Sequence, residues 1–180
     1  GHKMYAPKGI AALYVRPGLP LEPVAYGGGQ EAGLRSGTEN VAYAVALGVA
    51  ADLAHADLAA DAPRRLAELR DRLHRSLVDA LPGAVRLNGH LDRRLPNTLN
   101  VSLAGVAGDQ LLATIPDAAA STGSACHTGT TDPSPVLSAM GVDRDRARGA
   151  VRLSVGRWTT AADVDLVAGL LVTAARRQQA

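Results

Sequence analysis

Apolar positions follow two rhythms along the chain, and the change between them marks its organisation. Leu66, Leu69, Leu73, Leu77 and Leu81 recur at three- and four-residue spacing, which predicts an amphipathic helix with a charged outer face. Pro63 stands where that helix should begin, and Pro82-Gly83 ends it. Upstream, Val41, Val45, Leu47, Val49 and Leu53 predict a largely buried helix with Thr38 as its N-cap. The apolar stretch inside it, Val41 to Ala51, is too short to cross a bilayer, so no membrane role is expected. Gly9 to Val15 is a short apolar run between Pro7 and Arg16-Pro17-Gly18, the pattern of a buried strand.

Beyond Pro82-Gly83 the texture changes to short units. Val85 to Leu87, Thr98 to Leu103 and Val151 to Val155 predict strands, with Val101 and Leu103 on one face. Asp109 to Ile115, the stretch around Val136 to Met140, and Ala161 to Ala175 predict helices. This order implies an α/β chain with an α+β small domain, in which helices cover a small mixed or antiparallel sheet. A long connecting helix joins it to the remnant of an α/β domain, with residues 1–55 forming the remnant and 56–180 the small domain.

Composition narrows the function. A hydrophobic content of 47% over 180 residues suits one core, or one small domain with part of another. There is no Phe, which excludes an aromatic stacking platform for single-stranded nucleic acid. The 19 basic and 17 acidic residues are interleaved, as in Arg64 to Arg75, so no phosphate-backbone patch and no nucleic-acid partner is expected. Cys126 is the single cysteine and cannot form an internal disulfide. With no charged-then-apolar leader at the start, a reducing cytoplasm is the expected location. His2, His55, His74, His90 and His127 lack metal-ligand spacing, so no metal is expected, and His55 and His74 read as solvated. The chain opens Gly1-His2-Lys3-Met4 with no initiator methionine ahead, which suggests a truncated form, a processed product or an incomplete reading frame.

Only two of the basic residues are lysines, Lys3 and Lys8, and an amine can lose its proton where a guanidinium cannot. Lys3 lies in Gly1-His2-Lys3-Met4-Tyr5-Ala6-Pro7-Lys8-Gly9, which resembles the cofactor-lysine motif of the cysteine desulfurases, class V aminotransferase-like enzymes of PLP fold type I. Four more segments resemble that family in the same order. They are Gly27-Gly28-Gly29-Gln30-Glu31 with Leu34 to Asn40, Leu95 to Ser102, Ser121-Thr122-Gly123-Ser124-Ala125-Cys126, and Val151 to Arg157. Each segment alone is a weak signal. Five in the right order are strong.

The resemblance implies that pyridoxal 5'-phosphate is the cofactor, held by Lys3 with help from His2. Thr38 would reach the cofactor phosphate of a partner subunit in a homodimer. It further implies that Cys126 carries the persulfide, and that Arg152 binds the carboxylate of the substrate L-cysteine through its planar fork. Arg157 competes for that last role. Taken alone, Thr38 is equally well explained as a helix cap, and Cys126 as a small hydrophobe. The polar neighbours Ser124, His127 and Thr128 argue for an exposed thiol.

The 26 positions from Cys126 to Arg152 resemble the family branch with an extended cysteine loop, which suits handover of sulfur to a scaffold or other acceptor protein, for iron-sulfur clusters among other ends. In the family, an aspartate on the pyridine nitrogen and a histidine on the ring come from ahead of Lys3, so the chain by itself is expected to be weakly active or inactive. The alternatives are a selenocysteine lyase, a class V aminotransferase, or a non-catalytic remnant that binds a partner or dimerises.

Overall fold

In the computed structural model, which describes residues 1–123 and 134–180, the leucine-periodic segment forms the helix α2, Ala62–Ala80. Its apolar stripe is buried through Leu69, Leu73 and Leu77 while the arginines of the opposite side face water. The chain divides into two units, Gly1–Asp61 and Ala62–Ala180.

In the second unit three strands form an antiparallel sheet in the order β1-β2-β3, with β1 at Val85–Leu87, β2 at Thr98–Leu103 and β3 at Ala150–Ser154. Side chains alternate across a pleated strand, so register decides which residues share a face. Val101 pairs with Val151 and Leu99 with Leu153, and these apolar residues join Leu69, Leu73 and Leu77 in one core. The closing helix α6, Ala161–Gln179, completes it with Val164, Ala168, Leu171 and Ala175. Burial of each such leucine stabilises by roughly 2 kcal/mol. A reciprocal capping box starts α6: Asp163 N–H donates to Thr160 Oγ1 (3.2 Å), and Thr160 N–H donates to Asp163 Oδ2 (2.8 Å).

On the other face, Thr98 pairs with Ser154, Asn100 with Arg152, and Ser102 with Ala150. One end of this polar face is covered by α4, Pro135–Ala139, and α5, Arg144–Arg148, where Leu137 and Ala147 pack on Ala150. A short helix α3, Gly108–Ala113, follows β2 and buries Leu111 in the main core. Gly149 is required just before β3, because a Cβ there would collide with the Leu103 carbonyl oxygen.

A charged cluster ties α2 to the segment before β2. Arg70 Nε donates to Asp71 Oδ1 (2.8 Å) and its Nη1 to the Leu95 carbonyl (2.9 Å), while Arg94 Nη2 donates to the same Asp71 oxygen (3.0 Å). The Arg70 hydrogen bond, reinforced by the charges of Arg70 and Arg94, holds the Asp71 carboxyl below its ordinary range. His74, expected in water, is instead half-buried beside this cluster; burial first, and then the Arg94 charge, push its imidazole below its ordinary value.

Four expectations for the first unit need correction. Gly9 to Val15 forms no strand: it has no ladder partner among the described residues, and Leu13 and Tyr14 are 77% and 84% exposed. An apolar run without a neighbour to pair its backbone has no reason to extend. The helix α1, Val41–Ala59, does form, but Asn40 rather than Thr38 caps it, accepting from Tyr43 N–H (3.2 Å). Nor is it largely buried. Val41, Val45, Val49 and Leu53 are all exposed, and Ala50 alone of its residues is buried within its unit. Being apolar on all sides, α1 has more surface to cover than the turn packed on it supplies. It also runs eight residues past Ala51, so by length and composition it is long and apolar enough to cross a membrane, a property that core helices share.

Leu77→Ala should lower the stability of the second unit by about 3 kcal/mol, read as a shift in the urea midpoint, because the site is fully enclosed by sheet and helices. The acid response has a defined sign. A histidine held below its unfolded value takes up its proton more readily when unfolded, so stability should begin to fall as pH drops through about 6.5. Asp71, held low, should add a second loss below about pH 4. Asp71→Asn should cost about 1–2 kcal/mol near neutral pH and shrink that lower limb, measured by urea titrations across the pH range.

Candidate functional site

Lys3 and His2 sit on one tight turn. Residues His2–Met4 form a 3₁₀ turn that Tyr5 closes in the left-handed region, with φ of 66°. Met4 N–H donates to the Gly1 carbonyl (2.9 Å) and the Gly1 nitrogen donates to the Ile10 carbonyl (2.8 Å), which folds the segment back on itself. Gly1 faces Leu47 of α1, where an added Cβ would stand 2.9 Å from Leu47 Cδ1. The packed glycine thus anchors the turn, and the side chains of His2 and Lys3 are exposed.

Thr38 belongs to the same unit, in the loop ahead of α1, and is exposed. The loop holds its own shape. Gln30 Oε1 accepts from Gly37 N–H (3.1 Å), Ser36 Oγ donates to the Tyr26 carbonyl (3.1 Å), and Gly37 adopts φ of 102°, where a side chain would be strained. No hydrogen bond joins Thr38 to His2 or Lys3 among the described residues.

Arg152 lies in the second unit at the middle of β3, exposed on the polar face of the sheet. Asn100 is opposite it, with Oδ1 accepting from Asn88 Nδ2 (2.8 Å). The alternative, Arg157, follows the strand in a loop whose backbone is gripped by Arg65, which donates to the carbonyls of Gly156, Arg157 and Thr159 at 2.7–3.3 Å. Arg152 is the better placed of the two to meet a carboxylate, being on regular backbone with neighbours locked by pairing. A cleft of about 310 Å³ at the end of β3 is lined by Leu73, Ser154, Trp158 and Asp163; it contains one acid and no base, and so does not suit an anionic substrate. Cys126 lies outside the described residues, as does His127. Ser121, the first residue of the segment that leads to Cys126 in sequence, bridges to Arg152 from the side opposite Asn100.

The first unit thus presents an exposed amine, imidazole and hydroxyl, and the second an exposed guanidinium on a sheet. The model of the family described as "Aminotransferase class-V" matches residues 1–167. The chain belongs to that family.

Class-V relatives align with almost all of it. "Cysteine desulfurase IscS" of Anaeromyxobacter sp. (strain Fw109-5) is 48% identical over 178 residues, covering 98% of this chain and 44% of that protein. "Probable cysteine desulfurase, mitochondrial" of Dictyostelium discoideum is 43% identical, over 95% of this chain and 38% of its own length. Among solved structures, a "NIFS-LIKE PROTEIN" superposes with a TM-score of 0.82 at 33% identity, over 99% of this chain and 44% of that one. "SspA in complex with cysteine" superposes at 0.63 with 32% identity, over 89% of this chain and 43% of its own. The chain therefore spans less than half the length of the proteins it matches. The expected class, helices with a small antiparallel sheet as a portion of a NifS-like class-V fold, holds.

Because Arg152 is exposed on the open face of the sheet, Arg152→Ala should change stability by no more than about 0.5 kcal/mol. Leu153→Ala, one residue on and facing the core, should cost about 3 kcal/mol. Paired thermal melts of the two variants check this.

Proposed function

We propose that this protein is a pyridoxal 5'-phosphate-dependent cysteine desulfurase that takes the sulfur of L-cysteine onto Cys126 and releases L-alanine. The observation that carries the reading is the alignment of 98% of the chain, at 48% identity, with a protein named as a cysteine desulfurase. The similarity in fold to SspA in complex with cysteine supports the choice of substrate.

The first unit is the part that would hold the cofactor and the second the part that would hold the substrate. Lys3 Nζ would attach the cofactor, His2 would lie against it, and Thr38 would meet a phosphate across the interface of a homodimer. When bound, pyridoxal phosphate supplies an electron sink for charge that develops at the substrate α-carbon. Lys3 Nζ, on its glycine-anchored turn, is the group that moves the α-proton. Arg152 orients the substrate by its carboxylate through two parallel hydrogen bonds.

The Cys126 thiolate then attacks the substrate sulfur. An S–S bond forms as the C–S bond breaks, the acceptor thiol is oxidised to a persulfide, and the carbon fragment is reduced and protonated to L-alanine. The persulfide passes to a sulfur-acceptor or scaffold protein. A free thiol at this position suits a reducing compartment. The exposed apolar sides of α1 suit burial against protein surface outside this chain, whether of the same subunit or of a partner.

The whole protein carrying Cys126→Ser should keep the cofactor absorbance and lose persulfide and alanine together, whereas Lys3→Ala should lose the borohydride-reducible cofactor. Arg152→Ala should raise KM for L-cysteine about 100-fold, the equivalent of about 3 kcal/mol of charged hydrogen bonding. Alanine production that survives Cys126→Ser would point instead to aminotransferase or lyase chemistry.

A further inference from the structure

Three residues form a row across the polar face of the sheet. Asn88, which continues β1 by donating its backbone N–H to the Asn100 carbonyl (2.9 Å), stands beside Asn100, and Asn100 is directly opposite Arg152. The backbone hydrogen bonds between β2 and β3 fall on other pairs. Leu103 N–H donates to the Gly149 carbonyl (3.0 Å) and Val155 N–H to the Asn97 carbonyl (2.9 Å), so by alternation Asn100 and Arg152 are a non-hydrogen-bonded pair. In such a pair the two side chains approach most closely. None of the strand residues is acidic, so the strands offer Arg152 no carboxylate partner.

Asn100 carries an acceptor next to Arg152, and the fold gives that acceptor to another residue. Asn88 Nδ2 donates to Asn100 Oδ1 (2.8 Å) and to Ser102 Oγ (2.8 Å), and Asn88 is only 8% exposed. Both hydrogens of its amide are thereby used, while its Oδ1 is buried without a partner among the described residues. An unpaired buried acceptor is costly, so the two bonds from Nδ2 are what hold the amide this way round. In a planar carboxamide the oxygen and the nitrogen diverge from one carbon. An Asn100 oxygen drawn towards β1 therefore leaves Asn100 Nδ2 turned away from β1, on the side of β3. That nitrogen donates to nothing among the described residues, and no side-chain acceptor is bonded to the Arg152 guanidinium there either. The row ends in two donors side by side.

We propose that Asn100 is a second ligand of the substrate carboxylate, its Nδ2 donating to a carboxylate oxygen beside Arg152, with Asn88 holding the amide in the orientation this requires. This rests on the reading of Arg152 as the carboxylate ligand. Two adjacent donors fit an anion, and a neutral donor next to a charged one adds a hydrogen bond without adding a charge. The reversed amide would turn Asn100 Oδ1 to the guanidinium, pair with it and present lone pairs to an incoming carboxylate. Asn88 opposes that reversal, because its Nδ2 would then face Asn100 Nδ2, donor against donor. The preference for a carboxylate is in this way set on the sheet before any substrate arrives.

The test measures Asn100→Ala and Arg152→Ala, singly and together, in the whole protein carrying this chain. Asn100→Ala should raise KM for L-cysteine about tenfold with kcat unchanged, the factor that corresponds to one hydrogen bond to a charged acceptor. About the same factor should separate the double variant from Arg152→Ala in kcat/KM, because a group that touches the carboxylate keeps its contact when the arginine is gone. Asn100→Asp keeps an acceptor for Asn88, and so the fold, but sets a like charge against the substrate; it should raise KM about 100-fold. The inference is overturned if Asn100→Ala or Asn100→Asp matches the parent in KM, if kcat falls while KM stays, or if the alanine effect vanishes in the Arg152→Ala background. Calorimetric titration with L-cysteine, in the same variants carrying Cys126→Ser, should give the same ratios as dissociation constants. Where the parent releases no alanine, the desulfurase reading fails and the titration still decides the role of Asn100. Where Arg152→Ala binds L-cysteine as the parent does, the reading of Arg152 fails and the inference with it.

Discussion

What Arg152 offers to a ligand is set by the burial of its two neighbours. Val151 and Leu153 are driven into the core against α2 and α6, and strict alternation along a strand then leaves Arg152 on the opposite face. A slip of one residue in the β2–β3 register would bury a guanidinium and expose two aliphatic side chains, a change costing several kcal/mol. The hydrophobic side of a three-stranded sheet therefore does the aiming. The polar side inherits an arginine on rigid backbone, flanked by Asn100 and Ser121.

The two units use different means to present chemistry. In the second, regular ladders and a packed core hold Arg152, the proposed carboxylate ligand. In the first, a short turn carries His2 and Lys3, anchored where Gly1 packs against Leu47 and ended by Tyr5 at positive φ. Turns of this kind are economical. They depend, however, on α1 for a base, and α1 itself leaves most of its apolar surface uncovered within the unit. A helix apolar on all sides belongs in an interior, so the proposed homodimeric class-V enzyme is the setting in which that surface has a role.

Much of the second unit was readable from residue order. The leucine period of α2, the strands β2 and β3 and the start of α6 all appear near the expected positions, because an amphipathic period is a local statement about which side of an element meets the core. The failures share one cause. Gly9 to Val15 and α1 were read as buried because they are apolar, and burial is a property of what surrounds a segment rather than of its composition. His74 departs in the other direction, since α2 and the segment before β2 bring a charged cluster against it and leave its ring half-buried.

The order of motifs by itself pointed to the family, through five segments that resemble it in the same succession, and the family model matches residues 1–167. It also determined the elements of the second unit, through short-range periodicity. Only the tertiary structure decided that Asn40 rather than Thr38 caps α1, that α5 follows Asp143, and that Ser121 is joined to Arg152 across 31 positions. Caps depend on which candidate oxygen reaches an amide, and bridges on which edge of a strand is left open. Both are matters of geometry in space, which spacing along a chain does not contain.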